Sequence, residues 1–254
     1  MSLLEVRNLT KYFGGLAAVN ELNFEVNEGE MLALIGPNGA GKSTVFNLIT
    51  SCYRPSKGTI IFRGKNITNL KTHQIARLGI VRTFQKTNVF MDMSVSQNIN
   101  VAHHLQCRAR DWEYFFLSPR AQKEEKAFTE SINKILKYVG LLSYKDENAK
   151  NLPHGLLRLL EIAIALAVNP KLLLLDEPFT GMNPSETSKV IKAVKNIREE
   201  GIAIVLVEHN MPAVMGISDR IVVMNFGNKI AEGKPIEILE NNEVIEAYLG
   251  KDVE

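Results

Sequence analysis

The sequence predicts an α/β protein built on a parallel sheet, and three observations predict it. The unbroken apolar run Met31-Leu32-Ala33-Leu34-Ile35 reads as a central strand covered on both faces, and Lys171-Leu172-Leu173-Leu174-Leu175, Ile202 to Val207 and Ile221-Val222-Val223-Met224 are further strand-like runs. Segments of helical periodicity separate these runs, which is the βαβ pattern. A glycine-rich loop, Gly36-Pro37-Asn38-Gly39-Ala40-Gly41-Lys42-Ser43, follows the first run and opens a helix.

Ahead of the first run, Leu3 to Leu9 and Leu22 to Val26 alternate apolar and polar residues, as half-buried strands do. Asn27-Glu28-Gly29-Glu30 supplies the turn into the first buried strand. Helical spacing from Ser43 to Tyr53 stops before Pro55. Gly58 to Gly64 returns to strand. From residue 92 to 168 the pattern is mostly helical, with Ile132, Ile135, Leu136 and Val139 at core spacing and Lys123 to Lys126 as a solvated face. The aromatic segment Trp112 to Leu117 reads as a packing cluster or as a docking patch.

Composition narrows the function classes. The chain has 254 residues, enough to bury a large core. A net charge of +2 without a clustered basic run argues against a nucleic-acid binder. Cys52 and Cys107 lie too far apart for metal-ligand spacing. No stretch approaches the roughly 18 apolar residues of a spanning helix, and the start of the sequence lacks a secretory pattern. Any membrane connection is therefore expected to run through a partner.

The glycine loop fits Gly-x-x-x-x-Gly-Lys-Ser, a phosphate-binding pattern whose chance occurrence here is on the order of one in a hundred. Its backbone N–H groups and the helix N-terminus suit phosphate oxygens. Lys42 is placed to bridge the β- and γ-phosphates of ATP, and the Ser43 hydroxyl to ligate Mg2+. Asp176 and Glu177 end a buried strand, where open α/β sheets bind ligands. A lone Asp-Glu pair there is commonly a helix cap; beside the loop it reads as a magnesium ligand, Asp176, and a general base, Glu177. His209 follows the strand Ile202 to Val207 and could orient water and base. Gln85 is weak by itself.

Taken together, the Gly36–Ser43 loop, Gln85, Leu152-Pro153-His154-Gly155, the strand ending Asp176-Glu177-Pro178, and His209 resemble the ATP-binding-cassette (ABC) ATPases in order and spacing over nearly the whole chain. Arg7 to Gly15, Val81 to Gln85, Gly181-Met182-Asn183-Pro184, Val207 to Met211 and Ile245 to Gly250 are most similar to the ATPase subunits of branched-chain amino-acid importers. The resemblance implies one ABC-type ATPase domain: a P-loop NTPase core with an antiparallel β subdomain (residues 1–91 and 169–254) and a helical subdomain (92–168). It implies a nucleotide site at Phe13, Val19, residues 36–44 including Thr44, and Gly155, with Phe13 stacking on adenine and Val19 packing beside it. Catalytic roles fall to Glu177, His209 and Gln85, and the metal to Ser43, Gln85 and Asp176. Implied partners are two transmembrane permeases, a second and different ATPase, and, indirectly, an extracytoplasmic substrate-binding protein. The implied location is peripheral, at the cytoplasmic face of the membrane.

One region departs from the family pattern. After Gly155, leucines at 156, 157 and 159 and Ile164 stand where relatives carry polar or basic residues. Either a partner is expected to cover this helix, or its substitutions slow hydrolysis, in which case Leu156→Gln with Leu159→Arg raises turnover.

Overall fold

A computed structural model describes residues 2–83, 89–104 and 118–249. Gln85, Cys107 and the aromatic segment at 112–117 lie outside the described residues. The chain divides into two compact units: residues 1–82, 171–180 and 198–254, and residues 83–170 with 181–197. The segment 181–197, expected with the core, groups with the helical unit.

The first unit holds two sheets. Strands β1 (Ser2–Phe13), β2 (Leu16–Asn27), β4 (Lys57–Phe62) and β5 (Lys65–Asn66) form an antiparallel sheet in the order β2-β1-β4-β5. The second sheet joins β3 (Met31–Ile35), β6 (Ile80–Arg82), β7 (Leu172–Asp176), β8 (Ala203–Val207), β9 (Arg220–Asn225) and β10 (Asn228–Gly233), in the order β10-β9-β3-β8-β7-β6. All its pairings are parallel except the terminal hairpin of β9 and β10. Every residue of β3, β7 and β8 is buried, as their continuous apolar runs require.

Register brings three strand ends together. Leu34 pairs with Val207, and Val207 pairs with Asp176, so β3, β8 and β7 finish side by side. Helix α1 (Lys42–Ile49) follows β3 and sinks Val45, Phe46 and Ile49 into a core shared with Leu4, Phe24, Leu32 and Val205. Phe46 is wholly buried, worth roughly 1.5–3 kcal/mol in removed apolar surface. Short α2 (Thr72–Leu78) leads into β6.

The second unit is helical: α3 (Val95–His104), α4 (Pro119–Val139), α5 (His154–Leu166) and α6 (Pro184–Glu199), whose last two residues group with the first unit. Helix α5 is the leucine-rich one, and it packs against α3 and α4. Leu159 and Leu160 are buried, and Leu156, Leu157 and Ile164 are half-buried. Arg158 and Glu161 pair within the helix at 2.7 Å, both side chains nearly covered. Of the two expectations for this helix, cover by a partner is unnecessary for Leu159 and Leu160, which its own unit buries; Leu156, Leu157 and Ile164 keep part of their surface. The Asp-Glu pair does not cap the following helix either. Asn183 caps α6, its side chain accepting from the Glu186 N–H while Glu186 accepts from the Asn183 N–H.

Candidate nucleotide site

The glycine loop occupies the turn from β3 into α1. Gly41 adopts φ +103°, and a Cβ there would stand 2.3 Å from the Ala18 carbonyl oxygen, so no other residue fits. Helix α1 has no acidic residue in its first turn, which leaves its positive end for an anion. Lys42 is buried, and its ammonium donates to the carbonyls of Gly36 (2.7 Å) and Pro37 (2.9 Å). Burial pushes the Lys42 pKa below the usual 10.5; the charges of Glu177 and Asp176 work in the opposite direction.

A cavity of about 280 Å3 is lined by residues 38–44, by Glu177 and His209, and by Leu16, Ala17, Ala18 and Phe226. Glu177 stands at the end of β7 with φ +48°, a left-handed conformation costing on the order of 1–3 kcal/mol in a non-glycine residue. Its N–H donates to the Val207 carbonyl at 2.8 Å, which anchors the strained turn to β8. His209 Nε2 lies 3.3 Å from Glu177 Oε1, both side chains partly exposed toward the cavity.

Asp176 is buried, and its two oxygens differ. Oδ2 accepts from the Arg82 guanidinium at 2.7 Å, and Arg82 also donates to Asn47 at 2.7 Å. Oδ1 is buried without a hydrogen-bond partner, the state of an oxygen available to a cation. Among the described residues no group of three His, Cys, Asp or Glu side chains could form a protein cage for a metal. A carboxylate and a hydroxyl beside a phosphate loop suit Mg2+, which keeps few protein ligands and shares phosphate oxygens. The residues present therefore fit that ion.

The structure brings Lys42, Ser43, Asp176, Glu177 and His209 together from three neighbouring strand ends. It treats the base-side residues differently. Val19 is fully buried in the core and does not line the cavity, whereas Leu16, Ala17 and Ala18 do. Phe13 is 44% exposed, meets Tyr53 edge-on at 5.4 Å, and does not line the cavity. Gly155 belongs to the helical unit, where a Cβ would come within 2.9 Å of the Glu186 side chain.

Three further residues lie inside stretches that carry the resemblance but had no role assigned from the sequence. Arg82 neutralises Asp176. Glu208 is buried and accepts three backbone N–H groups, from Phe179 (2.7 Å), His209 (2.9 Å) and Asn210 (3.1 Å), tying the loop after Glu177 to the end of β8. Tyr248, on the C-terminal helix α7 (Asn242–Leu249), makes a hydrogen bond with the Gly36 backbone; burial lifts its phenol above 10.0 and that bond opposes the rise.

A buried strand, a glycine loop and a helix start, flanked by strands that end in a carboxylate pair and a histidine, define a P-loop nucleoside triphosphatase. The chain belongs to the ABC transporter ATPase family, matching it over residues 19–180, and its residues 228–254 match the family described as branched-chain amino acid ATP-binding cassette transporter. It is 43% identical over 250 residues to the high-affinity branched-chain amino acid transport ATP-binding protein LivG of Salmonella typhimurium, covering 98% of both chains. It is 42% identical to the corresponding protein BraF of Pseudomonas aeruginosa, again over 98% of each. The crystal structure of the ADP conformation of MJ1267, an ATP-binding cassette of an ABC transporter, superimposes with a TM-score of 0.86 at 33% identity, over 99% of this chain and 100% of that one. The chain is thus an ATP-binding, ATP-hydrolysing subunit of a membrane ABC transporter.

Proposed function

We propose that the chain hydrolyses ATP in the cavity between Lys42 and Glu177, as one of two different ATPases driving an importer of branched-chain amino acids. The convergence of Lys42, Glu177 and His209 on one cavity, with buried Asp176 close enough for its charge to act on Lys42, is the observation that carries this reading. Lys42 leaves its loop carbonyls for the β- and γ-phosphates. Glu177 takes a proton from the attacking water as its oxygen bonds to the γ-phosphorus and the bond to the β–γ bridging oxygen breaks. His209 holds the Glu177 carboxylate in place. Ser43, Asp176 and Gln85 would hold Mg2+, which when bound neutralises charge on the phosphate oxygens. Gly155 offers its backbone N–H to the γ-phosphate on the partner ATPase.

No helix among the described residues is long and apolar enough to cross a membrane. Coupling through two permease subunits, with the chain peripheral at the cytoplasmic face, follows from its likeness to transport ATP-binding proteins. Exposed Phe90, Met91 and Met93, which follow Gln85 in sequence, supply apolar surface of the kind a partner covers. Substrate class follows the relatives' names. The test is uptake of labelled leucine, isoleucine and valine in cells lacking the gene, complemented with wild type or Lys42→Ala. Restoration by wild type alone, and co-purification with two permeases and a second ATPase, supports the proposal. Unchanged uptake in the deletion strain refutes the substrate assignment.

A further inference from the structure

The two-residue turn between β9 and β10 carries an unusual residue for its backbone. Asn225 pairs with Asn228, leaving Phe226 and Gly227 as the turn, with φ +43° and +80°. Two positive φ angles mark the primed hairpin turn that Asn-Gly or Asp-Gly fills with least strain. A phenylalanine in that first position is strained, on the order of 1–3 kcal/mol. Packing does not offset the cost, because Phe226 is 81% exposed.

The turn is also held in place. The Gly227 N–H donates to the Ala40 carbonyl of the glycine loop (3.1 Å), and the Gly227 carbonyl accepts from the Asn20 N–H of β2 (2.8 Å). Asn228 donates to the Phe226 carbonyl and accepts from Asn20. The turn's backbone is therefore fixed relative to the phosphate loop, and Phe226 lines the cavity. Leu16, 70% exposed, lines it too. The cavity thus has a phosphate end, at residues 38–44, and an apolar end, at Leu16 and Phe226. Phe13 does not line the cavity; it meets Tyr53 in an edge-on arrangement, and the Lys11 ammonium sits 5.1 Å from its ring centre.

We propose that Phe226 contacts the base of the bound nucleotide, forming with Leu16 the apolar wall against which the base packs. The proposal rests on the reading that nucleotide occupies this cavity. It accounts for a strained, exposed aromatic that the fold itself does not need.

The experiment is calorimetric titration of the full chain with Mg·ATP and, separately, with magnesium tripolyphosphate, which lacks base and ribose. Wild type is compared with Phe226→Gly, Phe226→Trp, Phe13→Ala and Lys42→Ala. Glycine suits the positive φ, so Phe226→Gly should fold with an undiminished melting temperature. It should bind ATP about tenfold more weakly, within the range of base–aromatic stacking, and tripolyphosphate as tightly as wild type. Phe226→Trp should keep ATP affinity. Equal ATP affinity in Phe226→Gly and wild type overturns the proposal, as does a parallel loss for both ligands. A base-dependent loss confined to Phe13→Ala overturns it in favour of Phe13. If Lys42→Ala binds both ligands normally, the placement of nucleotide in this cavity fails first, and the proposal with it.

Discussion

Replacing Glu208 by glutamine should damage the site without touching any residue that meets ATP. The carboxylate is buried and accepts from Phe179 through Oε1, and from His209 and Asn210 through Oε2. A glutamine keeps one acceptor. With its carbonyl toward His209 and Asn210, its amide faces the Phe179 N–H, donor against donor; reversing the amide loses two bonds instead of one. The cheaper orientation forfeits one charge-assisted bond, about 1.5–3 kcal/mol, and weakens two more by removing the charge. A total near 3 kcal/mol follows, a shift of roughly 6–12 °C for a chain of this size. Phe179 is two residues beyond Glu177, and His209 follows Glu208 directly, so kcat should fall with little change in KM. Urea unfolding followed by circular dichroism, together with steady-state ATPase kinetics, reads both effects. A stability loss under about 1 kcal/mol with unchanged kcat would refute the claim that Glu208 holds the general base and histidine in register.

Two further outcomes follow from burial. Burial disfavours charged Lys42, so between its lowered pKa and 10.5 the unfolded chain binds more protons, and folding stability rises with pH through that window. ATP favours the charged form, so in the same window binding takes up protons, seen as a buffer-dependent enthalpy that Lys42→Ala loses; an enthalpy independent of buffer contradicts this. Leu159 is 2% exposed, so Leu159→Arg should unfold the helical unit more readily, by several kcal/mol, rather than raise turnover. A variant with wild-type stability and faster hydrolysis would reverse that conclusion, whereas half-buried Leu156→Gln remains the informative substitution for the rate.

Legibility in the sequence followed the range of the interaction. The runs Met31–Ile35 and Leu172–Leu175 announced buried strands because both faces of a central strand need the same chemistry. Gly36 to Ser43 announced itself because loop, lysine and helix start are contiguous. Arg82 and Asp176, 94 residues apart, and Phe179 and Glu208, 29 apart, meet only through sheet order, which no local pattern encodes. Val19 beside adenine is what the resemblance implies; its burial in the core, with Leu16, Ala17 and Ala18 lining the cavity, is a packing outcome that no local pattern encodes. The leucines after Gly155 looked like an uncovered surface because periodicity cannot reveal that α3 and α4 supply the cover.

The central claim is that Glu177 is the general base of a site whose binding parts work without it. Single-turnover hydrolysis and ATP binding of Glu177→Gln, measured on the assembled transporter, test it most directly. The account predicts ATP affinity within a few-fold of wild type and a hydrolysis rate lowered about 100-fold or more. Hydrolysis within about threefold of wild type would contradict it and move the proton acceptor elsewhere.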